Sequence, residues 1–290
     1  MRAPITGELF LGSLADGNFK SVRSMSASES QEVYGAHATL RAFHRESQSY
    51  EHIKRDYDDL RQYAAGILRI ISEHGTSPDI SLDFEVELNR RVMALLNSFR
   101  AFLDHTAHAL SRAFGSDSQE LRDFRTACST EYDAHFAYRF SSKLRNYSQH
   151  FDLPIGYLSL RGQGQRRQHQ AEVSLLCIRD QLLASGFDWG RLLAELQGRP
   201  ESWNIHTTID ELMPCIERIR PTAIKPHLRN VIAAATKVAA LALETGYPDA
   251  QPVVIRILEP VDGKEHIQVT LAPHYHATEI LRQYAATKEA

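Results

Sequence analysis

Arg145 and His150 are the residues of this sequence whose types and spacing best suit chemistry on a phosphate group. A guanidinium binds phosphate oxygens through a rigid fork of donors. An imidazole, whose unperturbed pKa is about 6.5, moves protons at neutral pH. Asn146 follows the arginine directly and offers an amide that orients either the phosphate or the imidazole. The run 138–150 therefore predicts a site that holds a phosphate and moves a proton beside it.

The segment that carries these residues has the apolar spacing of a helix. Arg145 and His150 are roughly 140° apart around an ideal helix, whereas Asn146 and His150 share a face. Pro154 predicts that the helix ends within a few residues. We therefore expect a frayed helix end, or the same end of a second subunit, to complete the site. Apolar residues at largely three- or four-residue intervals predict one buried stripe: Leu121, Phe124, Cys128, Phe136, Phe140, Leu144 and Tyr147.

The run Arg145-Asn146-Tyr147-Ser148-Gln149-His150 resembles the R-x4-6-H motif of HEPN domains, which has a polar residue after the arginine and lies near the end of a helix in an all-α bundle. The resemblance covers at most residues 30–152. It implies a metal-independent endoribonuclease that needs no cofactor and works as a homodimer, with two motifs facing each other across a symmetric cleft. HEPN members occur in toxin–antitoxin, CRISPR and abortive-infection systems, so toxin or phage-defence activity is expected.

The same resemblance assigns roles to individual residues. Arg145, His150 and Asn146 become the catalytic group of a transesterification, in which a ribose 2′-hydroxyl attacks the neighbouring phosphate. RNA is the expected substrate, and a neutralising antitoxin or system partner is implied. Asp152 stands where one antitoxin-modified subgroup has a tyrosine, so we infer no regulation by nucleotidylation. Residues that we expect to contact RNA are Tyr147, Lys143, Arg161, Arg166 and Arg167. The last three form a basic hairpin loop that could follow a phosphate backbone, although a solvated loop tip is the commoner reason for such a cluster.

Three alternatives remain open for the motif. An arginine and a histidine near a helix C-terminus also stabilise the helix by meeting its dipole and capping free carbonyls. A non-catalytic HEPN-like module would use Arg145 to bind nucleic acid or a nucleotide, or to assemble with a partner. A purely structural protein would pair Arg145 with a carboxylate of its own chain and bury His150.

The helices that must position the motif are predicted from longer patterns. A heptad seam marks a helix over 28–74 that we expect to break or bend: Tyr50, Ile53, Tyr57, Leu60, Ala64, Ile67 and Ile71. A second apolar stripe over 88–114 follows the helix stop Gly75-Thr-Ser-Pro78. The motif helix comes after a turn at 115–118. Three long helices in up-down order are therefore expected over 28–150.

Beyond Pro154 the apolar residues recur at every second position, which is the spacing of a β-strand. Segments 155–160 and 173–178 predict one hairpin, and 253–258 and 266–271 predict a second around Asp262-Gly263. We expect all four strands to form one small antiparallel sheet, because a lone hairpin is marginal in water. Helices are predicted over 180–185, 191–197, 209–219, 229–244 and 278–287.

The predicted fold class is mainly α: a long-helix, HEPN-like bundle with a small antiparallel sheet of two hairpins, an α+β arrangement. Residues 1–27 are expected to form loop or short strands, 28–152 the bundle, and 153–290 the sheet and helices packed on it, as one continuous domain. The net charge of −3 does not indicate that the chain as a whole binds a polyanion such as nucleic acid. Three cysteines without CxxC spacing, and no apolar run of membrane length, predict a cytoplasmic protein without membrane contact.

Other chemistries lack their signatures. No Glu-x-x-His occurs, so a di-iron bundle is not predicted. The pairs His105/His108 and His274/His276 have no cysteine or carboxylate at an established metal-site spacing, and we assign no metal ligands. Gly162-x-Gly164 precedes a strand and is a hairpin loop, and there is no P-loop or Gly-x-Ser-x-Gly elbow.

Overall fold

The computed structural model describes residues 8–74, 78–165, 168–261, 264–272 and 274–284. The strands are β1 Leu9–Ala15, β2 Asn18–Ser24, β3 Tyr157–Gln165, β4 Gln168–Ile178, β5 Ser202–Asn204, β6 Gln251–Val261 and β7 Lys264–Leu271. The helices are α1 Ala27–His74, α2 Pro78–Phe114, α3 Gln119–Ala134, α4 Phe136–His150, α5 Arg179–Ala184, α6 Leu193–Gln197, α7 Ile205–Ile224, α8 Leu228–Glu244 and α9 His274–Tyr284. Short 3-10 turns cover Gly190–Leu192 and Lys225–His227. This composition confirms the predicted mainly α, α+β class.

The chain divides into two compact units. Unit 1 comprises Met1–Arg45 and Lys225–Ala290, and unit 2 comprises Glu46–Ile224. Neither boundary coincides with the expected divisions at 27/28 and 152/153. Among the described residues, no helix has the combination of length and apolarity that crossing a bilayer requires.

Unit 2 is a helical bundle with a small sheet at one side. Its core draws on α1, α2, α3, α4 and α7 together with β4. Aromatic rings fix the helix contacts: Phe99 of α2 meets Tyr138 of α4 edge-on at 5.1 Å, and Phe102 meets Phe124 of α3 at 6.4 Å. The predicted seam of α1 is confirmed, since Ile53, Leu60, Ala64 and Ile67 are all buried.

Unit 1 is a four-stranded antiparallel sheet with helices. The strand order is β2-β1-β6-β7, and the centre of the sheet is the pairing of Leu9 with Arg256 through Leu14 with Gln251. A small core closes over it, made of Leu9, Leu11, Met25, Val33, Leu241 and Val254. Ser26 caps α1 by accepting a hydrogen bond from the Glu29 backbone N–H at 3.1 Å, as a Ser-x-x-Glu sequence favours.

The prediction of one four-stranded sheet from the two hairpins is wrong. Both hairpins form, as β3–β4 and β6–β7, but they belong to two different sheets. The edge of β4 pairs with β5, and the edge of β6 pairs with β1, whose other side holds β2. Each hairpin is therefore stabilised separately, and the predicted turn at Asp262-Gly263 lies outside the described residues.

The long helices also differ in two places. The helix α1 is continuous over its 48 residues, without the expected break. The expected single helix over 119–150 is divided, because His135 has an extended backbone with φ −121° and ψ 120°. Arg139 stabilises this division: its Nη1 donates to the Tyr132 and Asp133 carbonyls of α3 at 2.6 and 2.7 Å. The motif therefore lies on a separate helix, α4. The proposed helix stop at 75–77 lies outside the described residues.

Candidate functional site

Arg145 lies on the penultimate turn of α4 and is half-buried against α2. Its Nε donates to Asn97 Oδ1 at 3.2 Å, and its Nη1 donates to Asn146 Oδ1 at the same distance. Gln149, one turn further along α4, donates from Nε2 to the same Asn97 oxygen at 3.1 Å. Asn97 of α2 therefore anchors the motif helix at two positions.

The charge of Arg145 is not neutralised by an ion pair with any carboxylate among the described residues. Its hydrogen-bond partners are two amide oxygens, which orient a guanidinium without cancelling its charge. A guanidinium has five N–H donors, so donors remain for an anion. This geometry differs from the purely structural alternative, in which the arginine pairs with a carboxylate.

His150 is the last residue of α4 and is exposed. Phe151 N–H bonds to the Tyr147 carbonyl at 2.9 Å and closes the final turn, after which the chain leaves the helix. Within the described part of the chain, no hydrogen bond or ion pair joins His150 to Arg145. The two residues are five positions apart on α4, so they lie roughly 140° apart around the helix of one chain.

Tyr147 is a core residue, and the expectation that it contacts RNA is wrong. Its side chain is only 2% exposed and its ring stacks on Trp189 at 5.4 Å and on Phe151 at 6.2 Å. Phe187 meets it edge-on at 5.8 Å. Burial raises the pKa of Tyr147 above its ordinary value. The helical spacing that placed this residue on the apolar stripe was the better guide to its role.

The remaining expected RNA contacts have different positions. Lys143 Nζ donates to the Asp188 carbonyl at 3.0 Å, so its ammonium is held against the loop before the first 3-10 turn. Arg161 lies in β3 opposite Glu172, and its side chain is outside the described part of the structure. Arg166 and Arg167 lie outside the described residues. Their RNA contacts stay predictions.

Sequence reasoning missed a polar cluster at the division between α3 and α4. Glu131, His135 and Cys215 each offer a metal-ligating atom within 4.8 Å of the others. Arg218 Nη2, however, lies 2.7 Å from Glu131 Oε2, 3.0 Å from His135 Nε2 and 3.4 Å from Cys215 Sγ. The guanidinium thus contacts all three groups in the place a metal ion would need.

The charges of this cluster fit an ion pair. The Arg218 guanidinium bonds both carboxylate oxygens and lowers the pKa of Glu131. Burial raises the pKa of the Cys215 thiol to about 11, so the thiol is protonated at neutral pH. The sequence signal was the spacing Glu131-x3-His135 at the end of α3, but the other members of the cluster lie far along the chain on α7.

Comparison with known proteins supplies no further guide to the site. No family model matches the chain, and no curated protein or solved structure matches it significantly.

Proposed function

We propose that the protein is a metal-independent endoribonuclease of the HEPN type that cleaves RNA by attack of the 2′-hydroxyl. The observation that carries the proposal is the Arg145 guanidinium, held by amide oxygens and not neutralised by a described carboxylate, on the helix end that also exposes His150. A site built for phosphate needs a positive charge that its own chain leaves unpaired.

In the proposed reaction, His150 accepts the proton of the ribose 2′-hydroxyl while the 2′ oxygen forms a bond to phosphorus. The bond from phosphorus to the 5′ oxygen breaks, and His150 returns the proton to that oxygen. The products are a 2′,3′-cyclic phosphate and a 5′-hydroxyl. Arg145 stabilises the charge that develops on the phosphate oxygens, and Asn146 orients the phosphate or the imidazole by hydrogen bonding. The nucleophile is tethered beside its target, which favours its attack.

The proposal needs a second copy of the chain. Arg145 and His150 lie on different sides of one helix end, so we assign Arg145 of one copy and His150 of the other to each reaction centre. The homodimer would thereby hold two equivalent centres. The proposed substrate is RNA, and the proposed partner is a neutralising antitoxin. The proposed role is that of a toxin or a phage-defence protein in the cytoplasm. Described cysteines that are all free suit a reducing compartment.

The first test compares wild type with Arg145→Ala and His150→Gln on a labelled RNA in the presence of EDTA. Each substitution is expected to lower cleavage at least 100-fold, because each removes a group that acts in the transition state. Product ends should carry 2′,3′-cyclic phosphate. Arg69→Ala and His105→Gln, both exposed on long helices of unit 2, are the matched controls and should retain activity. Equal activity in all variants would refute the assignment.

The shared site has a sharper test, in which the two inactive chains are mixed and allowed to exchange subunits. Half of the dimers then contain one chain of each kind, and one of their two centres has both native groups. About a quarter of the wild-type activity should return. If both groups came from the same chain, the mixture would remain inactive.

A non-catalytic module that binds nucleic acid or a nucleotide is the second candidate. It is favoured by the bond between Arg145 and Asn97, which fixes the guanidinium for binding without bringing His150 to it. In that case wild type would bind RNA without cleaving it, and Arg145→Ala would abolish binding while His150→Gln would not.

A further inference from the structure

Unit 1 contains a pocket of about 700 Å³ that is separate from the proposed nuclease site. One wall is the first part of α1, which contributes His37, Arg41 and Arg45. The opposite wall is the end of β7 and the start of α9, which contributes His274 and His276. A volume of this size falls within the roughly 300–1,000 Å³ typical of small-molecule sites.

The lining of this pocket is cationic. It includes two arginines and four histidines, and it contains no aspartate or glutamate. Arg41 and Arg45 are four residues apart and therefore share one face of α1, and both are exposed. Among the described residues, no carboxylate forms an ion pair with either. Two unpaired guanidiniums side by side repel each other, and an anion between them would relieve that repulsion.

His37 supplies an independent sign of a missing ligand. It is 3% exposed and lines the pocket, yet neither ring nitrogen has a hydrogen-bond partner. Buried polar groups in folded proteins are nearly always hydrogen-bonded, because leaving one unsatisfied is costly. Its position one turn before Arg41 directs it to the same side of α1. A ligand that enters the pocket can provide the missing partner.

Ring contacts join the two walls of the pocket. The rings of His44 and His276 are tilted against each other with centroids 4.0 Å apart. His274 donates from Nδ1 to the Ala272 carbonyl at 3.2 Å and packs on Tyr247 at 4.7 Å. These contacts fix the positions of the His274 and His276 imidazoles in the pocket lining.

A metal ion does not fit this lining. Guanidiniums repel a cation, and in the described part of the chain no three histidine, cysteine or carboxylate groups of this pocket come within mutual ligand distance. Arginine and histidine donors together instead suit phosphate oxygens, which accept several charge-assisted hydrogen bonds. The pocket is larger than a bare phosphate requires, and Tyr34 adds a planar ring to its wall.

We propose that this pocket of unit 1 binds a small molecule that carries one or more phosphate groups, with a nucleoside phosphate as the ligand that best matches its size. Arg41 and Arg45 bind the phosphate, and His37 bonds the part of the ligand that reaches the interior. The proposal does not depend on ribonuclease activity, because every residue it uses lies in unit 1.

The test measures binding to the full chain by isothermal titration calorimetry at low salt, without added metal. The probes are ATP, ADP, inorganic pyrophosphate and adenosine. Wild type should bind the phosphate-bearing probes, and Arg41→Ala/Arg45→Ala should weaken that binding at least 10-fold. The control Arg55→Ala/Arg69→Ala removes two exposed arginines further along α1 and should leave affinity unchanged. His37→Asn should also weaken binding.

The probes distinguish the sources of the phosphate. Tighter binding of ATP than of pyrophosphate identifies a nucleoside phosphate, whereas equal affinity identifies the phosphate groups alone as the recognised part. The proposal is overturned if wild type binds none of the three phosphate probes at millimolar concentration. It is also overturned if adenosine binds as tightly as ATP, or if the arginine pair can be removed without loss of affinity.

Discussion

At the scale of single residues, Asn97 gives the motif a definite geometry. Its side-chain oxygen accepts from Arg145 and from Gln149, so one amide on α2 fixes two side chains of α4. Nothing in the sequence around position 97 marks it, because its partners are 48 and 52 residues away. Arg145, His150 and Asn146 were recognisable from their types and spacing, whereas the residue that orients Arg145 was not.

Asn97→Ala should therefore lower kcat of RNA cleavage by about tenfold with a smaller change in KM, because a misplaced guanidinium still meets the substrate but aligns poorly with the transition state. Steady-state cleavage of a defined RNA measures both constants.

Gln149→Ala is the matched control for Asn97→Ala, since it removes the other bond to Asn97 and leaves the arginine anchored. It should cleave RNA at close to the wild-type rate. Equal rates for all three proteins would exclude a positioning role for Asn97.

At the scale of elements, the spacing of apolar residues predicted most helices. It did not predict features that depend on contacts with residues far along the chain. The seam of α1 was evident because burial of one face imposes regular spacing over many turns. The division of the helix at His135 was not evident from the sequence. The Arg139 side chain that bonds the last carbonyls of α3 also pairs with Glu195, which lies 56 residues later. The predicted strand pairing was wrong for the same reason, because the sequences of β1 and β5 do not indicate which strands they pair with.

Arg139→Ala should lower the free energy of unfolding by about 2–3 kcal/mol, because it removes charge-assisted bonds to two helix carbonyls and to Glu195 from a side chain that is only 16% exposed. Urea unfolding monitored by circular dichroism measures the change.

Arg100→Ala provides the comparison for Arg139. It breaks a solvent-exposed ion pair with Asp104 on α2 and should cost less than about 1 kcal/mol. If the two variants lost equal stability, the capping role of Arg139 would be disproved.

At the scale of the whole molecule, acid should destabilise the ligand-free protein through two buried histidines. Burial, with a nearby arginine in each case, lowers the pKa of His37 and of His206 to about 4. In the unfolded chain each pKa returns to about 6.5. As pH falls from about 6.5 toward 4, the unfolded state binds a proton that the folded state does not. Each histidine should then reduce the free energy of unfolding by roughly 1.4 kcal/mol per pH unit.

Urea unfolding at several pH values tests this dependence. His37→Gln and His206→Gln should each make stability less dependent on pH between about 6.5 and 4. His105→Gln, which changes an exposed histidine of α2, is the control. A dependence that is the same in all four proteins would contradict the assignment.

The pairing of β1 with β6 has a consequence for synthesis on the ribosome. Leu9 is translated before unit 2, but its partner Arg256 is translated only after all of unit 2. Unit 2 is one continuous stretch and can fold as soon as it emerges. The β1–β2 hairpin must therefore wait, with the edge that will receive β6 open to other strands, until β6 has been translated.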